Sequence, residues 1–279
     1  MRLKELKNEM MKIASSLDNP SLEVRLIIEK TLSLSAIDQI MKAESAVSKE
    51  DEEKSLQLIK KRAQGYPMAY ITNEKEFYGH SFYVNESVLI PRPDTEVIVD
   101  AAIKIARETG KRRILDLCTG SGAIAASISH ALNSDVFLSD ISKEALEIAR
   151  GNYERITERA AHARLGDLFE PWQDESFDII VSNPPYLTDA WYEETDEDVK
   201  KEPKLALIGF GDDGLDIIRR IIKASVDHLN DGGFLLIEGD YRQMEYCAKI
   251  FKSEGFVDVG ILKDLSGKDR VVYGRRNDL

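Results

Sequence analysis

From residue 112 onward, short apolar runs alternate with helix-length amphipathic segments. Runs at 113–117, 135–139, 162–166, 177–182, 233–238, 256–262 and 270–274 read as strands, and segments at 122–131, 142–156, 212–229 and 241–253 read as helices. Parallel strands need a crossover of a dozen residues or more, usually a helix. The alternation therefore predicts a mostly parallel α/β sheet of seven strands covered on both faces. No helix-length segment separates the last two strands, so these are expected to pair antiparallel.

The chain upstream has a different character. The first 65 residues read as helices only. Leu3, Leu6, Met10, Met11 and Ile13 fit one face of a first helix. Asp18-Asn19-Pro20-Ser21 signals a turn and a second helix with Leu22, Leu26, Ile27 and Leu32 inward. A third helix covers about 35–44. Ser48 caps a fourth, which runs through Leu56, Leu58 and Ile59 and stops at Gly65-Tyr66-Pro67. No catalytic constellation is visible in this small bundle, which is therefore expected to serve recognition or scaffolding. Residues 77–84 and 88–90 read as a β-hairpin or short paired strands. Pro91-Arg92-Pro93-Asp94-Thr95-Glu96 then breaks the chain and opens another helix. The expected organisation is a helical domain at 1–67, a linker with a β-hairpin at 68–92, and the α/β domain at 93–279.

Charge and composition exclude several classes. The first 76 residues are balanced, so the whole net charge of −12 falls on the remainder. Such a surface repels bulk nucleic acid and suits a basic protein partner or simple solubility. The acidic stretch from Asp189 to Glu202 reads equally as an attractor for a basic substrate loop and as a solvated face. The two cysteines and four scattered histidines form neither a disulfide framework nor a metal-ligand pattern, so no metal is expected. No apolar run is long enough to span a bilayer, and the N-terminus lacks the apolar segment of a signal peptide. Both point to the cytoplasm. No apolar stripe suggests self-association, so a monomer is expected.

Asn183-Pro184-Pro185-Tyr186 follows the fourth strand. Strand ends of open α/β sheets are where ligands bind. Two prolines fix this segment in an extended shape and remove two backbone donors. An Asn side-chain oxygen beside a Pro carbonyl can accept both protons of a planar NH2 group, and Tyr186 can lie on its flat face. The sequence is read either as such a clamp or as a tight turn.

The other strand ends weigh on that choice. Cys118-Thr119-Gly120-Ser121-Gly122 follows the first strand of the sheet, and Gly120 and Gly122 let a ligand approach the backbone closely. Asp140 ends the next strand, ~20 residues past the loop, where an acid commonly grips ribose hydroxyls. Asp167 ends the third and can accept from an adenine amine, with Leu168 packing on the ring. No phosphate-binding lysine follows the loop. Adenine, ribose and a methyl donor occur together in S-adenosylmethionine, and the order of sites fits that cofactor on a Rossmann-like domain.

Taken together, the Ile90-Pro91-Arg92-Pro93-Asp94-Thr95-Glu96 block, the Leu115-Asp116-Leu117-Cys118-Thr119-Gly120-Ser121-Gly122 loop and Asn183-Pro184-Pro185-Tyr186 resemble the HemK/PrmC family. These enzymes are glutamine methyltransferases of peptide chain release factors. Asp264-Leu265-Ser266-Gly267-Lys268-Asp269-Arg270 adds to the likeness, which covers essentially the whole chain. The resemblance implies an S-adenosylmethionine-dependent methyltransferase domain preceded by the helical bundle and hairpin. It implies a cofactor set of Asp116, Cys118, Thr119, Gly120, Ser121, Gly122, Asp140, Asp167, Leu168 and Asn183. The substrate glutamine, in the Gly-Gly-Gln loop of class 1 release factors, would be held by Asn183, Pro184, Pro185 and Tyr186. The helical domain would help to dock the release factor. Cys118 stands where the family often has a glycine, and Asn73 replaces another frequent glycine. Rival readings are a glutamine methyltransferase of a ribosomal protein, an adenine amino-methyltransferase of DNA or RNA, and a non-catalytic cofactor-binding module. The acidic surface argues against stable nucleic-acid binding.

Overall fold

The computed structural model describes residues 1–277, which divide into two compact units. One comprises residues 1–74 and 196–201, and the other residues 75–195 and 202–277.

The first unit is helical: α1 (Leu3–Ile13), α2 (Pro20–Leu32), α3 (Ala36–Met41), α4 (Lys49–Ala63) and α5 (Met68–Thr72). Its core is Leu3, Leu6 and Met10 of α1, Val24, Ile27 and Ile28 of α2, Ile59 of α4 and Ile71 of α5. Val24, Ile27 and Ile28 follow the helical i, i+3, i+4 spacing, which turns Leu22 outward, contrary to the inward position expected for it. The third helix is shorter than expected and leaves Ile37, Ile40 and Met41 exposed. Ser48 caps α4 as its position predicts, its hydroxyl accepting from Asp51 N at 3.0 Å. Asn73 ends α5 at φ 57, the left-handed conformation that asparagine tolerates.

The second unit begins within β1 (Glu74–Phe77), which forms a hairpin with β2 (His80–Tyr83). Its two-residue turn, Tyr78-Gly79, has φ 50 and 74, as a type I′ turn requires. Residues 88–90, expected to be extended and paired, form no strand. After α6 (Glu96–Thr109) come β3 (Ile114–Leu117), α7 (Ala123–Leu132), β4 (Val136–Asp140), α8 (Lys143–Thr157), β5 (His162–Leu165) and β6 (Phe177–Ser182). A short α9 (Asp189–Glu193) and then α10 (Asp216–His228), β7 (Leu229–Glu238), α11 (Met244–Ser253), β8 (Phe256–Lys263) and β9 (Asp269–Arg276) complete it.

Seven strands form one sheet in the order β5-β4-β3-β6-β7-β9-β8. The first five in that order pair in parallel, while β9 runs antiparallel to both β7 and β8. Side chains alternate between the two faces of each strand. Ile114, Val136, Leu138, Ile179 and Val181 pack with α6, α7 and α8. On the other face Leu115, Leu117, Ile180, Leu235 and Ile237 pack with α10 and α11.

The chain leaves β3 for β4 and β5 on one side, then crosses to β6 on the other. Leu117 is level with both Ser139 and Ser182, and Ser182 is level with Ile237. The segments that follow β3, β4, β6 and β7 therefore emerge side by side, at the point where such sheets bind ligands. Among the described residues no helix is long and apolar enough to cross a membrane, and no group of three or more His, Cys, Asp or Glu could hold a metal ion.

Candidate active site

A cavity of ≈ 350 Å³ opens over these strand ends. Cys118, Thr119, Gly120 and Ser121 line it, as do Asp140, Asp167, Leu168, Asn183 and Pro185. The four strand-end segments singled out from the sequence thus meet in one place. Gly122, Asp116, Pro184 and Tyr186 are not among the lining residues.

The loop after β3 is held from behind. Cys118 lies at φ 58 and Gly120 at φ 55. Left-handed backbone costs a non-glycine residue roughly 1–2 kcal/mol, which accounts for a glycine preference at position 118. Nothing lies within 4 Å of where a Cβ on Gly120 would stand, so that side of the loop is open. Gly122 serves packing instead: a Cβ there would lie 3.0 Å from backbone atoms of Ala149 in α8.

Asp116 is fully buried. Its Oδ2 accepts from Thr119 Oγ1 at 2.6 Å and Ala125 N at 3.2 Å, which ties the loop to α7, while Oδ1 has no partner. Burial pushes this carboxyl up from 3.8 to about 7, and Asp140 adds to the push, against the pull of the two hydrogen bonds. An acid with a raised folded pKa holds more protons folded than unfolded between its two pKa values. Its contribution to stability therefore declines as pH rises through that window. Between about pH 5 and about pH 8 the wild type should lose thermal stability relative to Asp116→Asn. Parallel stability curves would rule the effect out.

Asp140 joins two segments: Oδ2 accepts from Gly120 N and Oδ1 from Ser142 N, both at 2.9 Å. Burial raises its pKa. Asp167 accepts from Arg220 of α10 at 2.6 Å, and Arg220 also lines the cavity. Leu168 is turned by a φ of 51. Arg220 was not expected from the sequence, because its partner lies 53 residues away.

The Asn-Pro-Pro-Tyr segment is fixed along its backbone. Tyr186 N and Leu187 N both donate to Leu207 O, at 3.1 and 2.8 Å, and Gly209 N donates back to Leu187 O at 3.0 Å. Gln243 Nε2 donates to Tyr186 O at 2.9 Å and to Asp213 O at 2.7 Å. The Tyr186 hydroxyl pKa is raised by burial, with Glu238 adding to the shift.

The Pro-Arg-Pro block supplies the remaining contacts. Glu202, 4% exposed, accepts from Ile90 N at 2.9 Å and pairs with Arg92. Arg270 donates to Asp94 at 3.2 Å, to Asp264 and to Gly239 O. Asn183 Nδ2 donates to Thr95 Oγ1 at 3.3 Å, and Thr95 Oγ1 donates to Glu238 Oε1 at 3.1 Å. Glu238 is 2% exposed, its Oε2 has no partner, and burial pushes its carboxyl up to about 7. Glu238 closes the apolar strand β7 at its C-terminal end, a position that could have marked it.

Residues 97–201 match the family model described as the methyltransferase small domain, and residues 10–72 match the PrmC N-terminal domain. The release factor glutamine methyltransferase of Neisseria gonorrhoeae is 37% identical over 260 residues, covering 92% of this chain and 93% of its own. That of Borreliella burgdorferi is 34% identical, covering 97% and 95%. Among solved structures, the hMettl16 catalytic domain in complex with a 3′UTR hairpin has a TM-score of 0.58 at 14% identity, covering 78% of this chain and 81% of that one. A T. thermophilus 16S rRNA methyltransferase in complex with AdoMet and guanosine has a TM-score of 0.55 at 18% identity, covering 73% and 50%. At such identities the last two show the fold alone.

The fold is that of an S-adenosylmethionine-dependent methyltransferase. With relatives this similar over nearly the whole chain, it belongs to the release factor glutamine methyltransferase family.

Proposed function

We propose that the protein methylates the side-chain amide nitrogen of the glutamine in the Gly-Gly-Gln loop of class 1 release factors. The reading rests on one observation above all: Asn183 and Pro185 line the same cavity as the open glycine loop. Family membership supports the substrate class.

The residues around the cavity fit S-adenosylmethionine. The open backbone at Gly120 leaves room for its methionine part beside Cys118, Thr119 and Ser121. Asp140 would take the ribose hydroxyls, and Asp167 and Leu168 the adenine. When bound, the cofactor supplies a methyl group on a cationic sulfur. Asp116 and Gly122 act behind this surface, one bracing the loop and the other letting α7 approach α8.

An amide nitrogen is a weak nucleophile because its lone pair is delocalised. Asn183 Oδ1 and the Pro184 carbonyl accept its two protons and fix the plane of the group, with Pro185 and Tyr186 stiffening the segment. Positioning of this kind supplies much of the rate. The same two carbonyl dipoles face the positive charge that grows on nitrogen. The helical unit is assigned to docking the release factor, whose work in translation places the enzyme in the cytoplasm. We assign no stable nucleic-acid complex, in keeping with the acidic charge, and a monomeric state.

Labelled cofactor offered with a release factor, a ribosomal protein fraction or duplex DNA tests the substrate. Label on the Gly-Gly-Gln glutamine, mapped by mass spectrometry, is the expected result. Label confined to either other acceptor would overturn it. For the cofactor site, Asp140→Asn should raise the Kd for S-adenosylmethionine, measured by calorimetry without acceptor, by roughly 10- to 100-fold, as expected for a lost charged hydrogen bond. An unchanged Kd would remove Asp140 from the site.

A further inference from the structure

Arg92, Asp94 and Thr95 of the Pro-Arg-Pro block are engaged with distant parts of the second unit, and Thr95 also hydrogen-bonds the amide clamp. We propose that Thr95 and Glu238 are positioning residues that lock the flip of the Asn183 side-chain amide, so that its oxygen rather than its NH2 is presented to the substrate. The proposal deepens the reading of the site as a glutamine methyltransferase and rests on it for the identity of the substrate.

An asparagine amide is nearly symmetric in shape, and its two ends are told apart only by hydrogen bonding. A flipped Asn183 would point donors at a substrate group that also donates, and the clamp would repel what it must hold. Thr95 cannot enforce the distinction alone, since a hydroxyl both donates and accepts. Glu238 gives it a direction. Glu238 Oε1 is an acceptor with no proton to offer Thr95, so the Thr95 proton is committed to it at 3.1 Å. The Thr95 oxygen is then left as an acceptor, and Asn183 Nδ2 donates to it at 3.3 Å. The NH2 end of Asn183 therefore faces an acceptor, and Oδ1 is the end left for the ligand.

The burial of Glu238 with an unpartnered Oε2 fits this role better than a structural one. A buried carboxylate left half-satisfied costs stability. An apolar residue at the end of β7 would avoid that cost, but it would leave the Thr95 hydroxyl free to turn.

Thr95→Val keeps the shape and removes the relay, whereas Thr95→Ser keeps the relay. With release factor as acceptor, Thr95→Val should lower kcat about 10- to 100-fold, the scale of a misplaced reacting group. The cofactor Kd should stay near wild type, and Thr95→Ser should recover most of the loss. Equal losses in both variants would show that the methyl group matters and not the hydroxyl, and would overturn the proposal. A second readout is independent of activity. With 15N-asparagine labelling, the Asn183 side-chain NH2 is assigned by its absence in Asn183→Ala. Its hydrogen exchange should quicken at least about tenfold in Thr95→Val and not in Thr95→Ser, as expected when a buried hydrogen bond is lost. Unchanged exchange in Thr95→Val would refute the lock. A wild type inactive on release factor would refute the substrate assignment instead, and the exchange measurement would still decide the lock.

Discussion

Asn183→Ala should lower the single-turnover rate of methyl transfer by roughly 10²–10³-fold, the loss typical when one preorganised dipole is removed from a developing charge. The loss belongs in the chemical step. The clamp backbone is held by Leu207, Gly209 and Gln243, none of which depends on the Asn183 side chain. The turn should therefore survive, along with the thermal midpoint and most of the cofactor affinity. Rapid-quench measurement with saturating labelled cofactor and release factor separates the cases. A rate within a few-fold of wild type would remove Asn183 from the reaction. A fall in cofactor affinity large enough to explain the lost rate would make it a cofactor ligand alone.

The second large effect comes from a residue with no functional group. A Cβ on Gly209 would lie 1.9 Å from Gly214 O and 2.8 Å from Pro185 O, both backbone atoms. One on Gly214, itself at φ +72, would lie 2.4 Å from Tyr186 O. The two glycines thus let one loop press directly against the clamp backbone. No side chain can swing away to relieve such a clash, so the segment must move. Gly209→Ala should cost about 3 kcal/mol or more, at the upper end of overpacking penalties. It should also lower kcat by about 10²-fold, because displacement near 1 Å has that effect. Denaturant titration and turnover measured on the same preparation test both. If stability falls while kcat per folded molecule holds, the loop supports the fold without positioning the clamp.

The sheet was legible because its strands are local in sequence: each is an apolar run bounded by a helix or a turn. Antiparallel pairing of the last two strands followed from the short connection between them. The insertion of β9 between β7 and β8 was not legible, since β-periodicity sets which face a residue takes and not which neighbour a strand chooses. Leu22 is exposed, against expectation from its residue type, because the inward stripe of α2 is set by Val24, Ile27 and Ile28 and Leu22 lies off that arc. At the site, the cavity-lining loops could be proposed from motifs read one strand end at a time. The lock could not. Thr95 lies in a motif that reads locally as a helix start, Glu238 looks like a polar residue finishing a strand, and 143 residues separate them. Asp116 shows the converse: its place in the loop motif suggested a cofactor ligand, whereas its carboxylate faces the backbone of α7.

Those sequence separations bear on how the enzyme is made. Asp94 meets Arg270 across 176 residues, Thr95 meets Glu238 across 143, and Ile90 meets Glu202 across 112. Each contact closes a long loop, and non-local contacts form late in folding. During synthesis the glycine loop and the proline turn leave the ribosome well before Arg270. A chain halted ahead of β9 would carry both motifs without the bond between Arg270 and the block that orients the clamp amide. Methylating capacity should thus appear only once β9 has been made, and a nascent chain that already displays both motifs would remain idle until then.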